Sequence, residues 1–294
     1  SGIGVPPVLR FDFESFCHGN SEWLEDYALF MSLKDAHGMA VWNTWEEDIR
    51  KRELSGVQRR EKELGAEIEY YKYLQFLFFK QWFELKKYCN EKGIKLIGDV
   101  TIYVALDSAS VWAHPEMFYL DSMGRPKVVA GVPPDYFSKT GQLWGNPLYR
   151  WSVMAGDGYS WWIERMRAMS AMVDIIRLDH FRGFEKYWEI PAGDKTAVNG
   201  RWVRGPGAKL FNAVRKELGE LPIIAEDLGY ITPEVADLKD KYGFPGMKVL
   251  QFAFGSGPDN NHLPHHYTQD CVIYTGTHDN NTAVGWFKGG ITGD

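Results

Sequence analysis

Residues 174–183 read DIIRLDHFRG, an apolar start at Ile175 and Ile176 that becomes ionic at Arg177, Asp179, His180 and Arg182. Side chains alternate along a strand, so Arg177 and Asp179 fall on one side and Leu178 on the other. A buried strand that turns charged at its carboxyl end is how a parallel α/β enzyme presents reactive groups. The pattern recurs at 222–228 (PIIAEDL) with Glu226, at 271–279 (CVIYTGTHD) with Asp279, and at 95–100 (KLIGDV) with Asp99. Three of these carboxylates, Asp179, Glu226 and Asp279, read as one active site.

Size and composition fit that reading. A chain of 294 residues with 45% hydrophobic content buries a full core, and its length is near the roughly 250 residues of a single (β/α)8 barrel. A net charge of -6 argues against nucleic acid and anionic membranes as partners. The 12 Trp and 15 Tyr suit the flat apolar faces of sugar rings, although aromatics also fill cores. Cys17, Cys89 and Cys271 are widely spaced and lack a CxxC, which favours a reducing compartment over a disulfide framework or a zinc site. No apolar run approaches the roughly 20 residues of a membrane span, and no signal segment is expected at the start. The plain expectation is a soluble intracellular enzyme.

Taken in order, residues 1–10 read as a linker rich in Gly and Pro, and Glu22–Ala36 as an amphipathic helix on Trp23, Tyr27, Phe30 and Met31. Residues 42–49 form a turn or short helix. A long helix is predicted over 61–92, with Ile68, Tyr71, Leu74, Phe78, Trp82, Leu85 and Cys89 as its core stripe. Residues 1–94 thus form a helical subdomain ahead of a barrel region at 95–294. Within the latter, 101–151 has no clear period and reads as an inserted substrate-covering region. Its stretch 128–149 gathers Asp135, Tyr136, Phe137, Gln142, Trp144 and Asn146, suited either to sugar hydroxyls and ring faces or to a rigid self-packed loop. Helices over 160–172 and 208–218 and a Pro-initiated helix from Pro233 alternate with strands at 222–228, 247–254 and 271–275, with a Gly-rich connection over 184–207.

Two carboxylates in different environments are what glycosidic cleavage needs: one ionised to attack the anomeric carbon, one protonated to donate to the leaving oxygen. Arg177, two residues before Asp179, would hold that carboxylate ionised. Glu226, after an apolar run, is placed for a raised pKa. Asp279 would grip sugar hydroxyls. A lone Asp after a strand also serves as a helix cap, and His278, His262, His265 and His266 are candidate metal ligands without a recognised ligand frame, so no metal is expected. Nucleotide-binding glycine motifs and a G-x-S-x-G elbow are both missing from the sequence.

The segments IIRLDHFRGF, PIIAEDLG, YTGTHDNNT, GDVTIYVALDSASVWAHPEMF and GVPPDYFSKTGQLWGNPLY resemble the 4-α-glucanotransferases (amylomaltases, disproportionating enzymes), family 77 of the α-amylase clan, from about Asp12 to Thr282. The resemblance implies a (β/α)8 barrel with helical and loop insertions. It also implies retaining transfer of α-1,4-glucan segments to the 4-hydroxyl of glucose or another glucan, with no metal or cofactor. Asp179 then resembles the nucleophile, Glu226 the acid/base and Asp279 the transition-state stabiliser. Arg177 and His278 flank them, Asp99, Asp135, Gln142 and Trp144 match substrate-binding positions, and maltooligosaccharides are the partners. Cytoplasm, or a plastid, is the implied location. Thr101 stands where proline is expected, Ser110 where aspartate is, and His114 and His266 where asparagine is. Sequence for the first barrel strands and the last is not found, which implies an incomplete barrel here. A glucan hydrolase, or a non-catalytic glucan-binding fragment, remain the alternatives.

Overall fold

The structure is a computed structural model that describes residues 5–135 and 138–289. It divides into two compact units, one formed by residues 1–94, 103–129 and 146–153, the other by residues 95–102, 130–145 and 154–294.

The first unit is mainly helical. Its largest helices are Pro7–Gly19, Ser21–Ala36, Leu54–Glu63 and Gly65–Glu91. The expected linker is helix from Pro7, with proline in the first turn, where its missing N–H costs nothing. In Ser21–Ala36 the buried face is Leu24, Ala28, Leu29, Phe30 and Leu33. Of the predicted stripe, Phe30 belongs to that face, and Trp23, Tyr27 and Met31 are half-buried. Phe30, Trp45 and Trp112 form a three-ring cluster with centroids 5.5–5.9 Å apart. Buried Lys34 donates to Met39 O and Ala40 O and pairs with Asp107 at 2.5 Å. The predicted long helix is broken at Leu64 and its stripe is not core. Only Phe76 is buried in Gly65–Glu91, while Leu74, Phe78 and Leu85 are exposed. That helix packs near its first half, where Phe13, Phe16 and Tyr73 meet Phe76, so a regular stripe overstated the cover available to it.

The second unit contains a parallel three-stranded sheet ordered β1 (Ile97–Val100), β4 (Ile175–Leu178), β7 (Ile223–Ala225), and a parallel pair β8 (Gly246–Val249) and β9 (Cys271–Tyr274). Ala225 N–H donates to Pro245 O at 2.9 Å, linking the end of β7 to the residue before β8. Helices Ser160–Met172, Ala208–Leu218 and Pro233–Lys241 precede β4, β7 and β8 in the parallel α/β alternation. A further sheet, ordered β3-β2-β5-β6, was not legible as strands. It comprises β2 (Val128–Val132) and β3 (Gln142–Pro147) within the aperiodic stretch, and the antiparallel hairpin β5 (Lys186–Pro191) and β6 (Arg201–Arg204) within the Gly-rich connection. Prolines 133–134 and glycines 141 and 145 mask the period of β2 and β3. The hairpin's strands are joined by the long Gly-containing connection 192–200, which hides their pairing in the sequence. The expected strand 247–254 stops at Val249 and continues as a 3-10 turn, Leu250–Phe254.

Gly246 marks a close approach. A Cβ there would fall inside the carboxylate of Asp227, which accepts from Met247 N–H at 2.7 Å and faces Lys239 Nζ at 3.4 Å. Gly246→Ala is therefore expected to destabilise the protein by about 1–3 kcal/mol through overpacking, seen as a fall in the thermal midpoint. An unchanged midpoint would show that the segment yields freely.

Candidate active site

The parallel register places Asp99 of β1 beside Arg177 of β4. Arg177 is buried, and its Nη1 lies 2.7 Å from both Asp99 carboxylate oxygens and 2.9 Å from Asp179 Oδ1. Its Nε points at Met247 Sδ, 3.4 Å away. Burial alone would lower the guanidinium pKa, but the hydrogen bonds and charge of Asp99, then the charges of Asp179 and Glu226, raise it instead. The ladder runs on past the strand ends: Asp179 N–H donates to Val100 O and Glu226 N–H to Leu178 O, each at 2.9 Å. Both carboxylates are thus fixed by backbone at the carboxyl ends of adjacent strands.

Their environments differ. Asp179 is partly open and ion-paired, yet its pKa is raised: burial pushes it up most, Arg177 opposes, and the charge of Asp99 adds to the rise. The expected pairing of Arg177 with Asp179 is present, and Asp99 shares the same cation. Glu226 is buried, and desolvation lifts its pKa to about 7, helped by the Asp179 charge. Two backbone N–H groups oppose the lift, that of Leu228 on Oε1 at 2.8 Å and that of His180 on Oε2 at 2.7 Å.

His180 delivers its N–H because its backbone is left-handed, with φ 48°, a conformation histidine tolerates better than most residues. Burial and the neighbouring Arg182 lower its imidazole pKa to about 4, so the ring is neutral near pH 7. The ring meets Trp144 of β3 edge-to-face with centroids 4.8 Å apart, and Trp144 Nε1 donates to Gln142 Oε1 at 3.0 Å. Trp144 therefore stands beside the residue that follows Asp179, with Gln142 tied to it.

Asp279 and His278 lie past the end of β9 in an exposed turn and pair at 3.3 Å. Asn280 Oδ1 shapes that turn by accepting from the N–H and hydroxyl of Thr277, each at 3.0 Å. Asp279 is within electrostatic reach of Asp179, whose pKa it helps raise. Asp135 is exposed in the loop after β2, and its Oδ1 accepts from Ser138 N–H at 2.8 Å. Tyr136 and Phe137 lie outside the described residues. His262 accepts from Val249 N–H through Nδ1 at 3.1 Å, a structural use of one proposed metal ligand. Among the described residues, no group of three His, Cys, Asp or Glu side chains is arranged to hold a metal, and no helix is long and apolar enough to cross a membrane.

Sequence reading passed over the roles of His180 and Asp227. Each directly follows a singled-out carboxylate, and adjacency was the available signal. The raised pKa of Glu226 carries a stability cost with a definite pH window. Below about pH 4.5 the carboxyl is protonated folded or unfolded; between there and about 7 it ionises only when unfolded, so folding stability falls as pH rises through that interval. Glu226→Gln removes that penalty while losing an acceptor. The stability of the variant relative to the parent should therefore improve between pH 4 and pH 8, by about 3 kcal/mol. Denaturant melts at the two pH values measure this, and a pH-independent difference would refute it.

The cluster can be set beside known proteins. A family profile described as 4-alpha-glucanotransferase matches residues 8–291. The 4-alpha-glucanotransferase of Thermus thermophilus is 55% identical over 284 residues, which are 96% of this chain and 57% of that protein. The chloroplastic/amyloplastic 4-alpha-glucanotransferase of Solanum tuberosum is 46% identical over 91% of this chain and 46% of its own length. The Streptococcus agalactiae amylomaltase in complex with acarbose superposes with a TM-score of 0.92 at 42% identity, covering 96% of this chain and 57% of that one. The chain thus spans about half the length of such relatives. With a matched profile over nearly all its residues, and Asp179 and Glu226 fixed on adjacent strand ends, the chain belongs to the 4-alpha-glucanotransferase family.

Proposed function

We propose that this chain carries the catalytic centre of a retaining 4-α-glucanotransferase acting on maltooligosaccharides and α-1,4-glucans. The observation that carries the reading is the contrast between two neighbouring carboxyls: Asp179 holds a 2.9 Å ion pair to a buried arginine, while Glu226 is desolvated and titrates near 7. In the first step Asp179 attacks the anomeric carbon and Glu226 gives its proton to the glycosidic oxygen, so the α-1,4 bond breaks and a glycosyl ester forms. In the second, Glu226 takes the proton of an acceptor 4-hydroxyl, whose oxygen displaces Asp179. Atoms and protons balance over the two steps without a cofactor.

Asp99 supports the reading by steadying Arg177 and offering its half-open carboxylate to the donor sugar. Asp279 and His278 are read as closing on sugar hydroxyls from the opposite turn. Trp144, Gln142 and Asp135 are read as a cover over the glycosyl ester that excludes water and favours a sugar acceptor. The acarbose complex of the Streptococcus agalactiae relative supports an α-glucan ligand. The parallel strands are read as part of a (β/α)8 barrel, with residues 1–94 a helical subdomain and 101–151 a substrate-covering insertion. The relatives' sources and the plastid name of the Solanum tuberosum protein support a cytoplasmic or plastid setting.

Incubation with maltotriose, products resolved by chromatography, tests this directly. The expected outcome is glucose plus a ladder of oligosaccharides longer than maltotriose, absent with Asp179→Asn. Maltose and glucose alone would replace transfer by hydrolysis. No product from the folded chain would overturn the reading for these residues.

A further inference from the structure

Three consecutive residues after Asp179 each bind the segment that follows β7. His180 N–H donates to Glu226 Oε2 at 2.7 Å, Phe181 N–H donates to Glu226 O at 3.0 Å, and Arg182 Nη1 donates to Tyr230 O at 2.9 Å. The first two grip Glu226 itself. The third reaches four residues further, beyond Gly229, whose φ of 82° makes the turn that brings Tyr230 back.

Arg182 is built into this place. It is buried, its guanidinium lies 4.0 Å from the Trp202 ring of β6 and 5.3 Å from the Tyr230 ring, and its Nε has no hydrogen-bond partner. The flat cation is thus held by stacking and by one hydrogen bond to a main-chain carbonyl. Glu185 and Glu234 supply the negative side of its surroundings, and His180 is the neighbouring titratable ring. Glu226 in turn faces Asp179 and Arg177.

We infer that Arg182 is a positioning residue for Glu226: by pinning Tyr230 O it fixes the 228–230 turn and so keeps Leu228 N–H on Glu226 Oε1. The β5–β6 hairpin takes part through Trp202, which closes one side of the slot. Release of Tyr230 frees the turn, the carboxylate loses one of its two N–H donors, and its ionised form becomes less favourable. The Tyr230 side chain is not the gripping element, since its carbonyl accepts.

The inference rests on the acid/base reading of Glu226 only for its effect on turnover, so the test reads the carboxyl without substrate. Difference infrared titration identifies the Glu226 carboxyl stretch as the band lost in Glu226→Gln. Arg182→Met should move its midpoint upward by about one pH unit, a roughly tenfold change in protonation equilibrium. Arg182→Lys keeps a donor and a charge and should leave the midpoint near that of the parent. Tyr230→Ala keeps the carbonyl and should do the same. Should Arg182→Met unfold, Arg182→Gln decides, because it fills the slot between the rings but falls short of the carbonyl and should also raise the midpoint. An unmoved midpoint in the folded neutral variant, or an equal move in Tyr230→Ala, would overturn the inference. A failed transfer assay would sink the proposed function and leave the infrared result standing.

Discussion

The buried guanidinium of Arg177 is the constraint on which the site depends. It sits on a central strand where only apolar side chains are cheap, and an unpaired charge there would cost several kcal/mol. Two carboxylates meet the need, Asp99 across the ladder and Asp179 two residues along the same strand. The register of β1 against β4 is therefore electrostatic as well as apolar, since a one-residue slip would leave the cation facing Gly98 or Val100. Arg177 aims Asp179, while burial of that carboxylate, with the charge of Asp99 beside it, keeps its pKa raised.

Glu226 is governed by the opposite economy. It has no cation of its own, and two main-chain N–H groups supply its polar contacts. Backbone donors fix direction well and offset only part of the desolvation, which leaves the carboxyl with a pKa of about 7. One sheet thus holds two neighbouring carboxyls in different settings, one aimed by a cation and the other held by backbone N–H groups.

The parts of this architecture legible in the sequence are those where burial and chemistry share a period. β4, β7 and β9 announced themselves as apolar runs ending in Asp179, Glu226 and Asp279, and the helix Ser160–Met172 was read to the residue. What escaped depends on neighbours distant in sequence. The strands of the β3-β2-β5-β6 sheet are short and interrupted by Gly and Pro. The stripe on Gly65–Glu91 is periodic, but periodicity records which face prefers burial, and only contact decides how much of it is covered. Arg177 was found by spacing, while its division between Asp99 and Asp179 needed the register.

The left-handed backbone at His180 narrows the sequences this site can explore. Few residues accept a positive φ at small cost: glycine, asparagine, aspartate and histidine. Glycine would leave the Trp144 edge without a ring to meet, and aspartate would bring a further negative charge beside Asp179 and Glu226. Asparagine keeps the backbone geometry and a polar side chain without adding charge, and it lacks the aromatic face. For drift or for a saturation library, position 180 is a corridor one or two residue types wide. Its neighbours have ordinary backbone angles and are limited by packing and charge instead, so this histidine is constrained twice, by its own backbone and by the ring it presents to Trp144.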